Sequence, residues 1–194
     1  MTAIKITQND QGSKEMPAEL GLWSFVFGDM MIFGLFFFTF TFYRGENPDV
    51  FISSQKSLNP IIGVVNTLIL LTSSLFVVYA INAIRMQRPK IAKRFFLLAF
   101  LCGIGFSIIK ITEYSEKIGE GIYPITNDFF MFYFILTGLH LMHVLIGICF
   151  LGFLVKICNS PLNKNIKLYE SGGIFWHMVD LLWIVLFPLL YLMK

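Results

Sequence analysis

The chain is short of charge, cysteine and histidine. Only 14% of its 194 residues are Asp, Glu, Lys or Arg, against about 25% in an ordinary soluble domain. With 56% hydrophobic residues beside that figure, a soluble globular fold is excluded. The three cysteines, Cys102, Cys149 and Cys158, have no CxxC or CxxCH spacing. That argues against a zinc ribbon, a covalently attached haem c and a disulfide scaffold. They read as small residues in or near apolar helices. There is no GxGxxG, Walker loop, HExxH or serine nucleophile elbow. The net charge of +3 is no nucleic-acid signal, because the basic residues lie in short stretches between apolar runs. Residues 1–19 lack the apolar centre of a cleavable signal peptide. They read as a soluble polar tail, with Pro17 where a helix can start without losing a hydrogen bond.

What the chain does have is five long apolar runs. A helix rises about 1.5 Å per residue and a bilayer core is about 30 Å thick, so a span needs roughly 20 apolar residues. Five windows qualify: Leu22–Tyr43, Ile61–Ile84, Phe95–Thr112, Phe129–Val155 and Ile174–Leu192. None shows the alternation of a membrane β-strand. The sequence therefore predicts an all-α integral membrane bundle of five helices, residues 20–194, behind the polar tail. The segments Arg44–Asn59 and Tyr114–Asn127 read as connecting loops.

The basic residues predict an orientation. Lys5 and Lys14 lie in the tail, Arg85, Arg88, Lys90, Lys93 and Arg94 follow the second span, and Lys156, Lys164 and Lys167 follow the fourth. All of these fall on one side. Arg44, Lys56, Lys117 and Lys194 fall on the other, with Lys110 near a span end. The excess puts the N-terminus inside and the C-terminus outside.

Ionisable groups at membrane depth cost about 2.5–3.5 kcal/mol on insertion scales, so they should face the bundle interior or water. Asp29 lies a third of the way into the first span. It reads either as a carboxylate that takes up protons or holds a neighbouring subunit, or as a carboxyl group that ties two helices together. Gly63, Asn66 and Ser73 form a small and polar stripe suited to helix packing. Lys110 and Glu113 share a face and can pair locally or reach other helices. His140 and His143 are three apart on one face, and Glu170, Gly173, His177 and Asp180 share another. On paper these could assemble a carboxylate–histidine metal site. An internal hydrogen-bond network explains the same residues more simply. The chain has only three histidines, and nothing in it specifies a slot for a haem.

In this order the motifs resemble subunit III of the haem–copper oxidase superfamily. They are Phe27-Gly28-Asp29, Asn59-Pro60 through Asn66-Thr67 to Ser73-Ser74, and Thr112-Glu113-Tyr114. Then come Gly138-Leu139-His140-Leu141-Met142-His143-Val144-Leu145-Ile146-Gly147, and Tyr169-Glu170 through Trp176-His177-Met178-Val179-Asp180 to Tyr191. The resemblance covers residues 19 to 193.

It implies a non-catalytic, all-helical subunit with no cofactor of its own. Such a subunit packs against catalytic subunit I, with its haems and copper, and beside subunit II in a bacterial inner membrane. It stabilises subunit I and sustains proton uptake near the entrance of the D pathway. A structural phospholipid is compatible with it. On this reading Asp29 is the buried carboxylate linked to proton uptake. Glu113, His140, His143, Glu170, His177 and Asp180 are the intramembrane polar network. The complex would reduce oxygen to water with electrons from cytochrome c or quinol. Two features depart from the family pattern. The mitochondrial form has seven spans, and the first two are not matched here, so the family's lipid cleft does not carry over whole. The buried carboxylate is usually Glu and here is Asp29, one methylene shorter. Short five-span forms with a Gly-Asp in the first span are also similar to the E-type accessory of nitric oxide reductases. A further alternative, of another class, is an independent membrane metal or haem protein.

Overall fold

The computed structural model describes residues 16–158 and 166–193, with side chains described from residue 20. Most of the polar tail, and Lys164 and Lys194, lie outside these residues. The described residues form six α-helices in chain order: α1 (Met16–Glu46), α2 (Pro48–Gln55), α3 (Pro60–Arg85), α4 (Pro89–Gly119), α5 (Asp128–Ile157) and α6 (Ile166–Phe187). A π-helical turn, Pro188–Leu192, follows α6. Five helices are long and apolar enough to cross a membrane: Leu20–Glu46, Pro60–Arg85, Pro89–Gly119, Asp128–Ile157 and Ile166–Leu192. The all-α expectation and the count of five spans agree with this.

Two expectations are corrected. Arg44–Asn59 is not simply a loop, because α2 occupies most of it. Pro48 supplies a ready first turn, and Phe51 is buried against Phe40 and Phe129. Tyr114–Asn127 is not a loop throughout either, since α4 continues to Gly119. Its polar last turns stay helical because Lys117 pairs with Glu120 at 2.7 Å, one turn away. The first four spanning helices thus outrun their apolar windows at both ends, and α6 outruns its window only at the start.

Local chemistry explains the boundaries. The Asn59 carboxamide oxygen accepts the Ile61 N–H at 3.0 Å, and Pro60 opens α3. Asn127 caps α5 by accepting the Phe130 N–H at 2.9 Å. After α3, Gln87 takes a left-handed φ of 55°. The Arg88 N–H then reaches back to the Ala83 carbonyl at 2.8 Å, a Schellman-type ending. That reversal is short enough to fold α4 directly back against α3. Gly121, with φ of 77°, ends α4 in the same way.

Packing follows the small residues. Membrane helices associate by close contact, since lipid tails are as apolar as Leu. A Cβ at Gly103 would come within 2.8 Å of the Trp176 ring, and one at Gly147 within 2.6 Å. The two glycines make the slot that buries Trp176 completely between α4, α5 and α6. By contrast α1 is held by a narrow line of buried residues seven apart, Val26, Phe33 and Phe40. Leu22, Phe36, Phe37 and Tyr43 are half-buried beside them, and most of the rest of its surface is apolar and exposed.

Candidate polar sites within the bundle

The first site lies near the α2 end of the bundle. Lys110 on α4 is fully buried. Its ammonium donates to Glu113 Oε2 at 2.9 Å, to the Tyr133 hydroxyl at 3.1 Å and to the Tyr191 hydroxyl at 2.8 Å. Tyr191 in turn donates to Glu113 Oε1 at 2.6 Å. The three ammonium protons thus meet three acceptors, and the cation also lies 4.6 Å from the Tyr133 ring centre. Beside this cluster the hydroxyls of Tyr114 and Thr137 are 2.6 Å apart. The cluster joins α4, α5 and the π turn. That turn shifts Tyr191 around the axis from where continued α-helix would put it.

The second site joins α1 to α5. His143 Nε2 is 3.1 Å from Asp29 Oδ1. The other ring nitrogen, Nδ1, is 2.8 Å from the Leu139 carbonyl. A carbonyl only accepts, so Nδ1 carries a proton and Nε2 faces the carboxyl group. A contact between Nε2 and Oδ1 then needs one more proton, on the ring or on the carboxyl. The pair is therefore a holder of one exchangeable proton in an apolar setting, with Phe33 edge-on to the imidazole. Asp29 Oδ2 is buried without a partner among the described residues.

The third site lies between α3 and α6. The Ser74 hydroxyl is 2.6 Å from His177 Nδ1. The Trp176 indole N–H donates to the Ser73 hydroxyl at 3.1 Å, and Ser73 donates to the Ala99 carbonyl at 3.1 Å. The Trp183 indole N–H donates to the Thr67 hydroxyl at 3.0 Å. Asp180 is buried beside Ser74, yet neither of its oxygens has a partner within hydrogen-bond distance among the described residues. Asn66 is likewise buried and unpartnered. His140 is fully buried, 5.1 Å from the Trp183 ring and 5.6 Å from Phe106, and neither ring nitrogen has a hydrogen-bond partner among the described residues.

The fourth is an ion pair at the end opposite α2, where Arg85 closing α3 meets Glu170 in α6 at 2.8 Å. Both side chains are substantially exposed, so the pair lies at the rim of the bundle.

The predicted residues are thus distributed among several sites. Asp29 meets His143. Glu113 meets Lys110. His177 meets Ser74. Glu170 meets Arg85. Asp180 and His140 stand apart. Among the described residues no group of three His, Cys, Asp or Glu side chains comes together as metal ligands would. Sequence reasoning missed Tyr133 and Tyr191 as partners of Lys110, and Arg85 as partner of Glu170. The first two were hidden because tyrosine at a span end reads as an interfacial anchor. Arg85 was counted only for its charge.

Comparison with known proteins agrees with this architecture. A family model described as cytochrome c oxidase subunit III matches residues 8–194. Subunit 3 of the cytochrome bo(3) ubiquinol oxidase of Buchnera aphidicola subsp. Acyrthosiphon pisum is 29% identical over 174 residues, covering 89% of this chain and 84% of that one. Cytochrome c oxidase subunit 3 of Bacillus sp. (strain PS3) is 29% identical over 176 residues, covering 90% and 84%. Cytochrome c oxidase subunit 3 of Rhipicephalus sanguineus is 30% identical over 185 residues, covering 89% and 69%.

Proposed function

As this chain belongs to the cytochrome c oxidase subunit III family, we propose that it stabilises catalytic subunit I of a haem–copper oxidase and supports proton uptake through Asp29. It is an integral membrane subunit of a respiratory oxidase complex of the cytochrome c or quinol type. The complex reduces oxygen to water and conserves the energy as a proton gradient. Haem and copper belong to subunits I and II, and this chain contributes no redox centre.

The observation that carries the Asp29 role is its contact with His143. A carboxyl group that shares one proton with an imidazole can accept and release protons without leaving a bare charge in lipid. Asp29 lies nearer the N-terminal end of α1. With the N-terminus inside, which the excess of basic residues on that side supports, that is the uptake side. Residues 1–19 then lie on the cytoplasmic side, the last four of them already in α1, and residues 20–194 form the membrane domain. Glu113, His140, His143, Glu170, His177 and Asp180 hold the bundle in the shape that presents Asp29.

An apolar groove supports the reading of a structural phospholipid. Leu22, Ile146, Phe150, Leu168, Ser171 and Phe175 line an apolar groove of about 350 Å³. Next to it, Trp23, Lys167 and Glu170 border a polar recess.

The experiment is turnover against pH for Asp29→Ala in the assembled complex. Proton delivery through Asp29 predicts slower turnover at high pH, or faster inactivation. Rates unchanged across pH in an intact complex would reduce Asp29 to a packing role. Mild-detergent copurification tests the partner: subunits I and II of an oxidase support the reading, and a nitric oxide reductase pair replaces it.

A further inference from the structure

Helix α5 carries an unbroken polar stripe. Tyr133, Thr137, His140 and His143 follow one another at spacings of four, three and three, so they lie one above the next on one face. All four are buried. At a rise of about 1.5 Å per residue the stripe spans about 15 Å, half the thickness of a bilayer core. At one end Tyr133 accepts from Lys110. Thr137 is bonded to Tyr114. At the other end His143 holds Asp29. His140, in the middle, is the one member of the stripe whose side chain has no hydrogen-bond partner among the described residues.

That arrangement is costly if it is dry. A buried polar group without a hydrogen bond costs about 1–3 kcal/mol, and His140 has two such nitrogens, both fully enclosed. A neutral imidazole carries one donor and one acceptor whichever tautomer it adopts. The flanking rings, Phe106 edge-on and Trp183 tilted, offer no acceptor, and the Trp183 N–H is already given to Thr67. A small molecule that both donates and accepts is what the ring lacks. Internal water has that chemistry and is routinely found on otherwise unsatisfied buried groups.

We propose that His140 binds internal water, which occupies the gap in the stripe's hydrogen bonding between the Asp29–His143 pair and the Thr137 hydroxyl. Thr137 is itself bonded to the Tyr114 hydroxyl and to the Tyr133 carbonyl, so the water-bearing part of the stripe stops there and the Lys110 cluster stays separate. Because the stripe covers only about half the membrane thickness, it opens no path through the bilayer. The inference does not depend on which catalytic subunit is the partner.

The test is a cryo-EM map of the native complex at a resolution that shows ordered water, with infrared spectra of internal O–H stretching in ordinary and heavy-oxygen water. The expected result is density within hydrogen-bond distance of a His140 ring nitrogen, together with an isotope-sensitive O–H band. Both should be lost in His140→Phe. They should return in His140→Gln, which keeps a donor and an acceptor at that depth. A dry His140 overturns the proposal. So does a ring bonded directly to a protein side chain, or a band that survives in His140→Phe. If His140→Phe does not assemble, the wild-type map and the His140→Gln spectrum decide alone.

Discussion

The Tyr191 hydroxyl donates to Glu113 across 2.6 Å, tying the π turn to the C-terminal third of α4. Lys110 bonds both groups, so the three form a closed triangle inside the bundle. Its charges are compensated only together. Lys110→Met or Glu113→Leu alone leaves the remaining charge buried and is expected to cost about 3–5 kcal/mol. The double variant removes both charges and should recover most of that loss. Thermal release of this subunit from the complex, followed through the four-way cycle, measures the coupling. Additive losses would mean that the two charges do not compensate each other.

The slot around Trp176 predicts a different kind of sensitivity. Gly147→Ala would place a methyl group 2.6 Å from a ring that is buried on all sides. Overpacking of this sort typically costs about 1–3 kcal/mol. Gly105→Ala, also in a membrane helix, meets nothing within 4 Å and should leave the stability of the purified subunit unchanged. The check is unfolding in detergent of the two variants side by side. Equal effects would show that helix propensity, not the slot, governs both.

Glu170 and Glu113 are both carboxylates paired with a cation, yet they should behave oppositely. The Arg85–Glu170 pair is exposed on both sides, and such pairs contribute about 0–1 kcal/mol and weaken with salt. Glu170→Gln is therefore expected to be nearly silent in stability, and more nearly so in high salt. A loss as large as that of Glu113→Leu would place Glu170 in contact with another subunit in the intact complex.

Sequence reading and structure agree most where length and apolarity decide. Five helices of the required length were legible because crossing lipid forces every backbone group into helical bonds. Glu113, His140, His143 and Asp180 are buried, as groups expensive in lipid should be, whereas Glu170 lies at the exposed rim. Their partners were not legible. His143 pairs with Asp29, 114 positions away by subtraction, and only the packing of α1 on α5 decides that. Spacing along one helix allowed Lys110 and Glu113 either to pair locally or to reach other helices; they pair, and the π turn that also delivers Tyr191 could not be anticipated. Helix α2 escaped because eight residues are too few for a period to register and its segment is rich in turn formers. What stabilises it is tertiary, the burial of Phe51.

Asn127 does two jobs with one side chain, and its two atoms can be tested apart. Its oxygen caps α5 through the Phe130 N–H, and its nitrogen donates to the Ser54 hydroxyl of α2 at 2.8 Å. Loss of an N-cap costs about 0.5–2 kcal/mol. Ser54→Ala removes the bond to α2 and leaves the cap. Asn127→Ala removes both. Stability should therefore fall mainly in the Asn127→Ala variant. The hold on α2 should loosen in both, because each loses the bond between Asn127 and Ser54. A cysteine placed at exposed Ile52 reports that loosening through its rate of labelling by a polar maleimide. Labelling should be faster in both variants, with the larger stability loss in Asn127→Ala. If Ser54→Ala labels as slowly as the wild type, the burial of Phe51 alone holds α2, and the bond to Ser54 is incidental.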